Sequence, residues 1–184
     1  MLDKIVFDIA SSRSAEEIEL LDDIIEECEN SLKSLYGEAH QLASIFWRKK
    51  EAVDAISRRS SNGRPHHWLN IRIRPNLINK EWLGSFTISW MRCKSVILPG
   101  ERNIVVRSED IRKGKGFQYT RFSFRKLEGW EFDIAQTLEI EFAKIRKAQE
   151  QLSKTRRQLI QTQKEILTVQ EIDYDELVKK MNNI

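Results

Sequence analysis

The sequence predicts an α+β fold in which a small antiparallel β-sheet is flanked by two long heptad-patterned helices, forming an antiparallel coiled coil. Three observations predict it. Apolar residues recur at alternating three- and four-residue steps before and after the middle of the chain, which is a helix-pairing period. Within the middle, apolar and polar residues alternate one by one, which is a strand period. Charge follows the same division. Residues 57–126 hold 16 Lys/Arg against 4 Asp/Glu, a net of +12, whereas residues 1–56 sum to −7 and residues 127–184 to −2. The formal total of +3 therefore hides a cationic module between neutral-to-acidic helices, the pattern of a polyanion-binding head on a helical frame. A chain of 184 residues is expected to form a single domain.

The first helix is expected over 14–56. Ser14-Ala15-Glu16-Glu17 reads as a capping box, in which the serine and the glutamate satisfy free N–H groups of a helix start. Ile18, Leu21, Ile25, Cys28, Leu32, Leu35, Ala39, Leu42, Phe46, Val53 and Ile56 then form its apolar seam. Gly37 inside it costs roughly 1 kcal/mol against Ala and marks a bend or a close contact. The acidic block Glu16–Glu29 reads as a solvated face. Upstream, Lys4–Ile9 is open between a short strand and an apolar tail.

The basic module spans 57–128. Ser57–Pro65 has loop composition. Strands are expected at Trp68–Arg74, ended by Pro75-Asn76, and at Gly84–Arg92. Val96–Leu98 and Ile104–Arg107 should follow about a Pro99-Gly100 turn, and Gln118–Lys126 should form the last strand. Parity places Leu69, Ile71, Ile73, Phe86, Ile88, Trp90, Thr120, Phe122 and Phe124 inward. Asn70, Arg72, Arg74, Tyr119, Arg121 and Arg125 fall outward. Trp90, Phe122, Phe124, Ile71 and Trp130 should be mostly buried. The second helix, 130–169, repeats Leu138, Ile145, Leu152, Leu159 and Ile166 every seven residues, with a more polar second position. Residues 170–184 read as an acidic-then-basic helical tail.

Arginine forks pair with phosphate oxygens, and hydroxyls and amides add neutral donors. The expected DNA-binding set is therefore Arg72, Arg74, Lys113, Lys115, Arg121 and Arg125, with Asn70 and Tyr119. The loop residues Arg58, Arg59 and Arg64 and the basic helix end Arg48–Lys50 are the next candidates. Other chemistries fit poorly. Adjacent His66 and His67 point apart in a strand with no carboxylate nearby, and Zn²⁺ needs about four ligands at close spacing, so no metal is expected. The Arg112–Gly116 tip lacks a P-loop pattern. No nucleophile–base set has recognisable spacing, and Tyr119 as a relaxase nucleophile would lack its metal ligands; no enzyme activity and no cofactor are expected. Cys28 and Cys93 read as small buried residues of a reduced, cytoplasmic protein. Apolar runs are too short for a membrane span or a signal peptide.

Several strings resemble the MobI family of conjugative-transfer proteins, which are carried by mobile plasmids and integrative elements. They are Trp68–Arg74, Ile88-Ser89-Trp90, Arg112-Lys113-Gly114 with Tyr119, and Trp130-Glu131 with Glu139 and Ile145-Arg146. They fall between Ile45 and Lys147. The resemblance implies an accessory factor of the relaxosome, acting in mobilisation at the origin of transfer to help a separate relaxase nick DNA. It carries over no catalytic residue. Expected partners are then duplex DNA and a relaxase, with self-association through the helices. The other class of reading is a coiled-coil scaffold or adaptor whose basic sheet docks an acidic protein partner.

Overall fold

The computed structural model describes residues 2–60, 69–78, 81–97, 104–125, 127 and 129–182. Two long helices, α1 (Leu2–Ser60) and α2 (Trp130–Asn182), enclose in sequence three strands: β1 (Leu69–Ile78), β2 (Glu81–Ile97) and β3 (Ile104–Asp110). A short 3₁₀ helix, Arg121–Phe124, precedes α2. The strands form one antiparallel sheet in the order β1-β2-β3, so the fold is α+β. The chain divides into two compact units, one of residues 1–32 with 151–184 and one of residues 33–150.

The first unit is a pair of helix segments. Arg156 donates to Glu29 Oε1 through Nε at 2.9 Å and Nη2 at 2.5 Å. Gln163 Nε2 donates to Asp22 Oδ1 at 2.7 Å. Passing from one pair to the other moves seven residues forward on α1 and seven back on α2, so the segments run antiparallel. Ile18, Leu21, Ile25, Leu152, Leu159 and Ile166 are half-buried, and Cys28 and Leu32 are buried.

The second unit holds the main core. Its centre is Trp90, fully buried on β2. Phe46 of α1, Phe124 and Phe142 of α2 meet its ring edge to face at 5.8, 5.5 and 5.9 Å between centroids. Each such pairing is worth about 0.5–1.5 kcal/mol beyond area burial. Leu69, Ile71, Phe86 and Ile88 line the same face. Register pairs Ile71 with Trp90 and Ile73 with Ile88, which is the inward parity read from β1 and β2. The opposite face is not uniformly cationic, because Met91 and Cys93 on it are buried as well.

Several expectations are corrected. Leu2–Ser60 is helix throughout, so Lys4–Ile9 is neither strand nor tail, Ser14 is no N-cap, and Arg58 and Arg59 lie in the last helical turn, not a loop. Pro75-Asn76 does not end β1. The strand continues to Ile78 across a register shift between Pro75 and Leu77. An edge strand tolerates Pro at such a bulge because its missing N–H need not pair. Gly84 takes φ +70° on the opposing strand there, a left-handed conformation that glycine adopts without a Cβ penalty. Gly84–Arg92 and Val96-Ile97 belong to one strand, β2.

The largest correction is the last strand. Residues 118–125 contain no strand; the chain makes i,i+3 bonds from Ser123 N to Thr120 O at 2.9 Å and from Leu127 N to Phe124 O at 2.9 Å. This turn breaks the parity at Tyr119, Thr120 and Phe122 but keeps Phe124 inward and Arg121 and Arg125 outward. Tyr119 and Phe124 are buried, while Phe122, expected inward, is 67% exposed, and Thr120 is also exposed. The cause lies at the edge of β2. β3 pairs only with Met91–Ile97, which leaves the edge carbonyls of Phe86, Ile88 and Trp90 without a neighbouring strand among the described residues. Ile111 N donates to Trp90 O at 2.8 Å, Arg146 Nε to Ile88 O at 3.3 Å and Gln149 Nε2 to Phe86 O at 2.9 Å. The place a further strand would take is filled by α2 side chains, which satisfy the backbone and blunt the edge. Trp130 is half-buried against the core.

Candidate nucleic-acid interface

Residues Ile111–Arg125 carry five cations, Arg112, Lys113, Lys115, Arg121 and Arg125, and no acid. All five are exposed. Two devices shape the tip. Lys113 Nζ donates to Gly116 O at 2.5 Å across it, and Gly116 takes φ +93°, a conformation that favours glycine. Partial burial, followed by the nearby Arg146 guanidinium, lowers the Lys113 ammonium pKa below its usual value.

This loop is tied down by a buried ion pair on α2. Glu139 is 1% exposed and its carboxylate accepts from four N–H groups. Trp90 Nε1 lies at 2.6 Å from Oε2, Tyr119 N at 2.8 Å and Arg146 Nη1 at 2.7 Å from Oε1, and Arg146 Nη2 at 3.3 Å from Oε2. A carboxylate has about four lone-pair sites, so this one is saturated. Arg146 Nη1 also donates to Phe117 O at 2.8 Å, and its guanidinium lies 5.1 Å from the Tyr119 ring centroid. Glu139 and Arg146 stand two helical turns apart, about 10 Å along the axis, a span that these long side chains bridge. They fasten α2 to β2 and to both ends of the Phe117–Tyr119 segment.

The expected contact residues divide accordingly. Arg74 is exposed on β1. Lys113, Lys115, Arg121 and Arg125 are exposed together on the loop, so the last two belong to the 3₁₀ turn and not to a sheet face. Arg121 lies 5.5 Å from the Phe132 ring centroid and Arg125 lies 3.9 Å from that of Phe122. Arg72 is half-buried and forms an ion pair with Asp110 at the end of β3. Asn70 Oδ1 accepts from the Ile71 N–H at 2.9 Å, which caps the free edge of β1. Tyr119, expected outward, is buried. Burial raises its phenol pKa above the usual value, opposed by the Arg146 charge and a backbone hydrogen bond with Trp90. The side chains of Arg58 and Arg59, and the whole of Arg64, His66 and His67, lie outside the described residues.

Two exposed residues were missing from the expected contact set. Arg112 shares the acid-free run, a signal legible in the sequence. Phe122 carries no such signal, since its alternation with Thr120 and Phe124 points inward. Glu131 is a further buried acid, and its Oε1 accepts from the Leu69 N–H at 3.1 Å at the start of β1. Among the described residues, no group of three or more His, Cys, Asp or Glu could hold a metal ion, and no helix is long and apolar enough to cross a membrane.

A family model described as MobI protein matches residues 35–160, more than half of the chain. No curated protein and no solved structure matches it.

Proposed function

The chain belongs to the MobI family, and from that premise we propose that it is a DNA-binding accessory protein of conjugative transfer, acting at the origin of transfer to assist a relaxase. One observation carries the DNA-binding part: five exposed cations on the acid-free Ile111–Arg125 loop. Phosphates along a duplex are closely spaced, and cations that neutralise them gain by releasing condensed counterions. The loop is anchored at Phe117 O and Tyr119 N by the Glu139–Arg146 pair, so its backbone is ordered before a ligand arrives. Pre-ordering lowers the cost of association. Arg74 extends the cationic surface on β1. In this reading the paired helices serve as an antiparallel coiled-coil frame, available for contact with a relaxase or a second copy.

The test is fluorescence anisotropy with a labelled duplex over a range of salt concentrations. If about five phosphates are neutralised, log K should fall with log[salt] at a slope near about −4 to −5. Arg112→Ala with Lys115→Ala should reduce the slope by roughly two units and leave the thermal melt unchanged. A double variant with the parent's affinity and slope removes the loop from the interface. A parent that binds no duplex even at low salt overturns the reading, and the loop would then be left to an acidic protein partner.

A further inference from the structure

Phe122 is a large aromatic residue with 67% of its surface exposed, set in a loop whose other exposed side chains are cationic, polar or absent. Nothing in the core needs it, because Phe124 and Tyr119 fill the aromatic positions of this turn against Trp90 and α2. Nor is it loosely hung. Its 3₁₀ turn is closed by Ser123 N to Thr120 O at 2.9 Å and Arg125 N to Phe122 O at 3.3 Å, with the Thr120 and Ser123 hydroxyls 3.3 Å apart. The chain just before it is fixed through Tyr119 N to the buried Glu139 carboxylate. The Arg125 guanidinium lies 3.9 Å from the ring centroid, a cation–π contact that steadies the ring and leaves most of it open to solvent. Arg121, on the same turn, is held over Phe132 of α2. The arrangement is therefore a rigid ring, stiffened by one arginine and flanked by further cations.

A π-face beside phosphate-binding cations is the combination that binds unpaired nucleotides. The ring stacks a base, and the cations hold the backbone on either side of it. A base inside an intact duplex offers its face only to its neighbours, so a platform of this kind has no ligand there. We propose that Phe122, with Arg125 and Arg121, forms a stacking site for an unpaired base of single-stranded DNA. The proposal rests on the DNA-binding reading above and narrows it to the strand form this turn takes.

The test uses the full chain and three fluorescein-labelled probes of equal length: a single-stranded oligonucleotide, its duplex, and a single strand with abasic residues in place of the central nucleotides. Phe122→Ala should weaken binding to the intact single strand by roughly 5- to 150-fold, the range for losing one stacked base. Its affinity for the duplex and for the abasic strand should change by less than about 2-fold, and the salt slope should stay the same because no phosphate contact is lost. Phe122→Trp should restore single-strand binding, and Phe122→Leu should not. Single-strand affinity equal to the parent's overturns the proposal while leaving the DNA-binding reading intact. Equal losses on the single strand and the duplex also overturn it, in favour of a wedge between stacked base pairs. Equal losses on the intact and abasic strands show that the ring contacts no base. A parent that binds none of the three probes removes both readings together.

Discussion

The Ile111–Arg125 loop and the Glu139–Arg146 pair lie in the same unit and share a hydrogen-bonded segment, yet they treat charge in opposite ways. The loop gathers five cations with no acid and keeps them all exposed. The pair withdraws one acid and one arginine from water and fills every acceptor site of the acid. An exposed cation is cheap to keep and free to meet an anion. A buried one is tolerable only with its partner and its hydrogen bonds in place. The difference teaches that arginines of one sequence neighbourhood divide by burial into those that hold the fold and those that can hold a ligand. It also gives a physical meaning to strings within the range that the family model matches. Trp90, Tyr119, Glu139 and Arg146 form one buried network, the scaffold under the loop.

The comparison can be broken most forcefully at the pair. Glu139→Ala or Arg146→Ala should each cost about 3–5 kcal/mol, because each leaves its partner buried and uncompensated. Denaturant titration measures this, and the double variant should cost clearly less than the sum of the singles. A single-variant loss below about 1 kcal/mol would place the pair in water. The two phenylalanines give the next contrast. Phe124→Ala should cost about 3–5 kcal/mol because the side chain is fully enclosed, whereas Phe122→Ala should stay within about 0.5 kcal/mol. Equal losses in denaturant would contradict the 3₁₀ turn and restore the strand parity.

The Tyr119 phenol sharpens the boundary between network and solvent. Burial raises its pKa, so the folded state keeps a proton that the unfolded chain gives up near about pH 10. Its contribution to stability is fully present below that pH and is lost as pH rises through the raised folded value. Melting temperature should fall over that alkaline window, and Tyr119→Phe should flatten the fall. An unchanged alkaline profile would mean that the phenol is solvated. The smallest effect belongs to Arg72 and Asp110. Both reach solvent, so Asp110→Asn should change stability by no more than about 1 kcal/mol. It should modestly raise duplex affinity by releasing Arg72 and removing an acid beside the tip. Weaker binding in the anisotropy titration would show that Asp110 positions Arg72 for contact.

Sequence period determined both helices, the inward parity of Leu69, Ile71, Phe86, Ile88 and Trp90, and the cationic middle. These are local properties: a helix or strand that buries one face must repeat its apolar residues at its own period. Charge along the chain likewise marks the basic module before any folding is considered. Tertiary structure alone decided the fate of residues 118–125. Their alternation suits a strand, but a strand also needs a free edge, and α2 covers that edge with Arg146 and Gln149. Burial of the Glu139–Arg146 pair was equally hidden. Two opposite charges seven residues apart on a helix look like an ordinary solvated face until the groups above them are known. What selects between those settings is whether Trp90, Tyr119 and the β2 carbonyls arrive to fill the bonds, and they come from parts of the chain as far as 58 residues away.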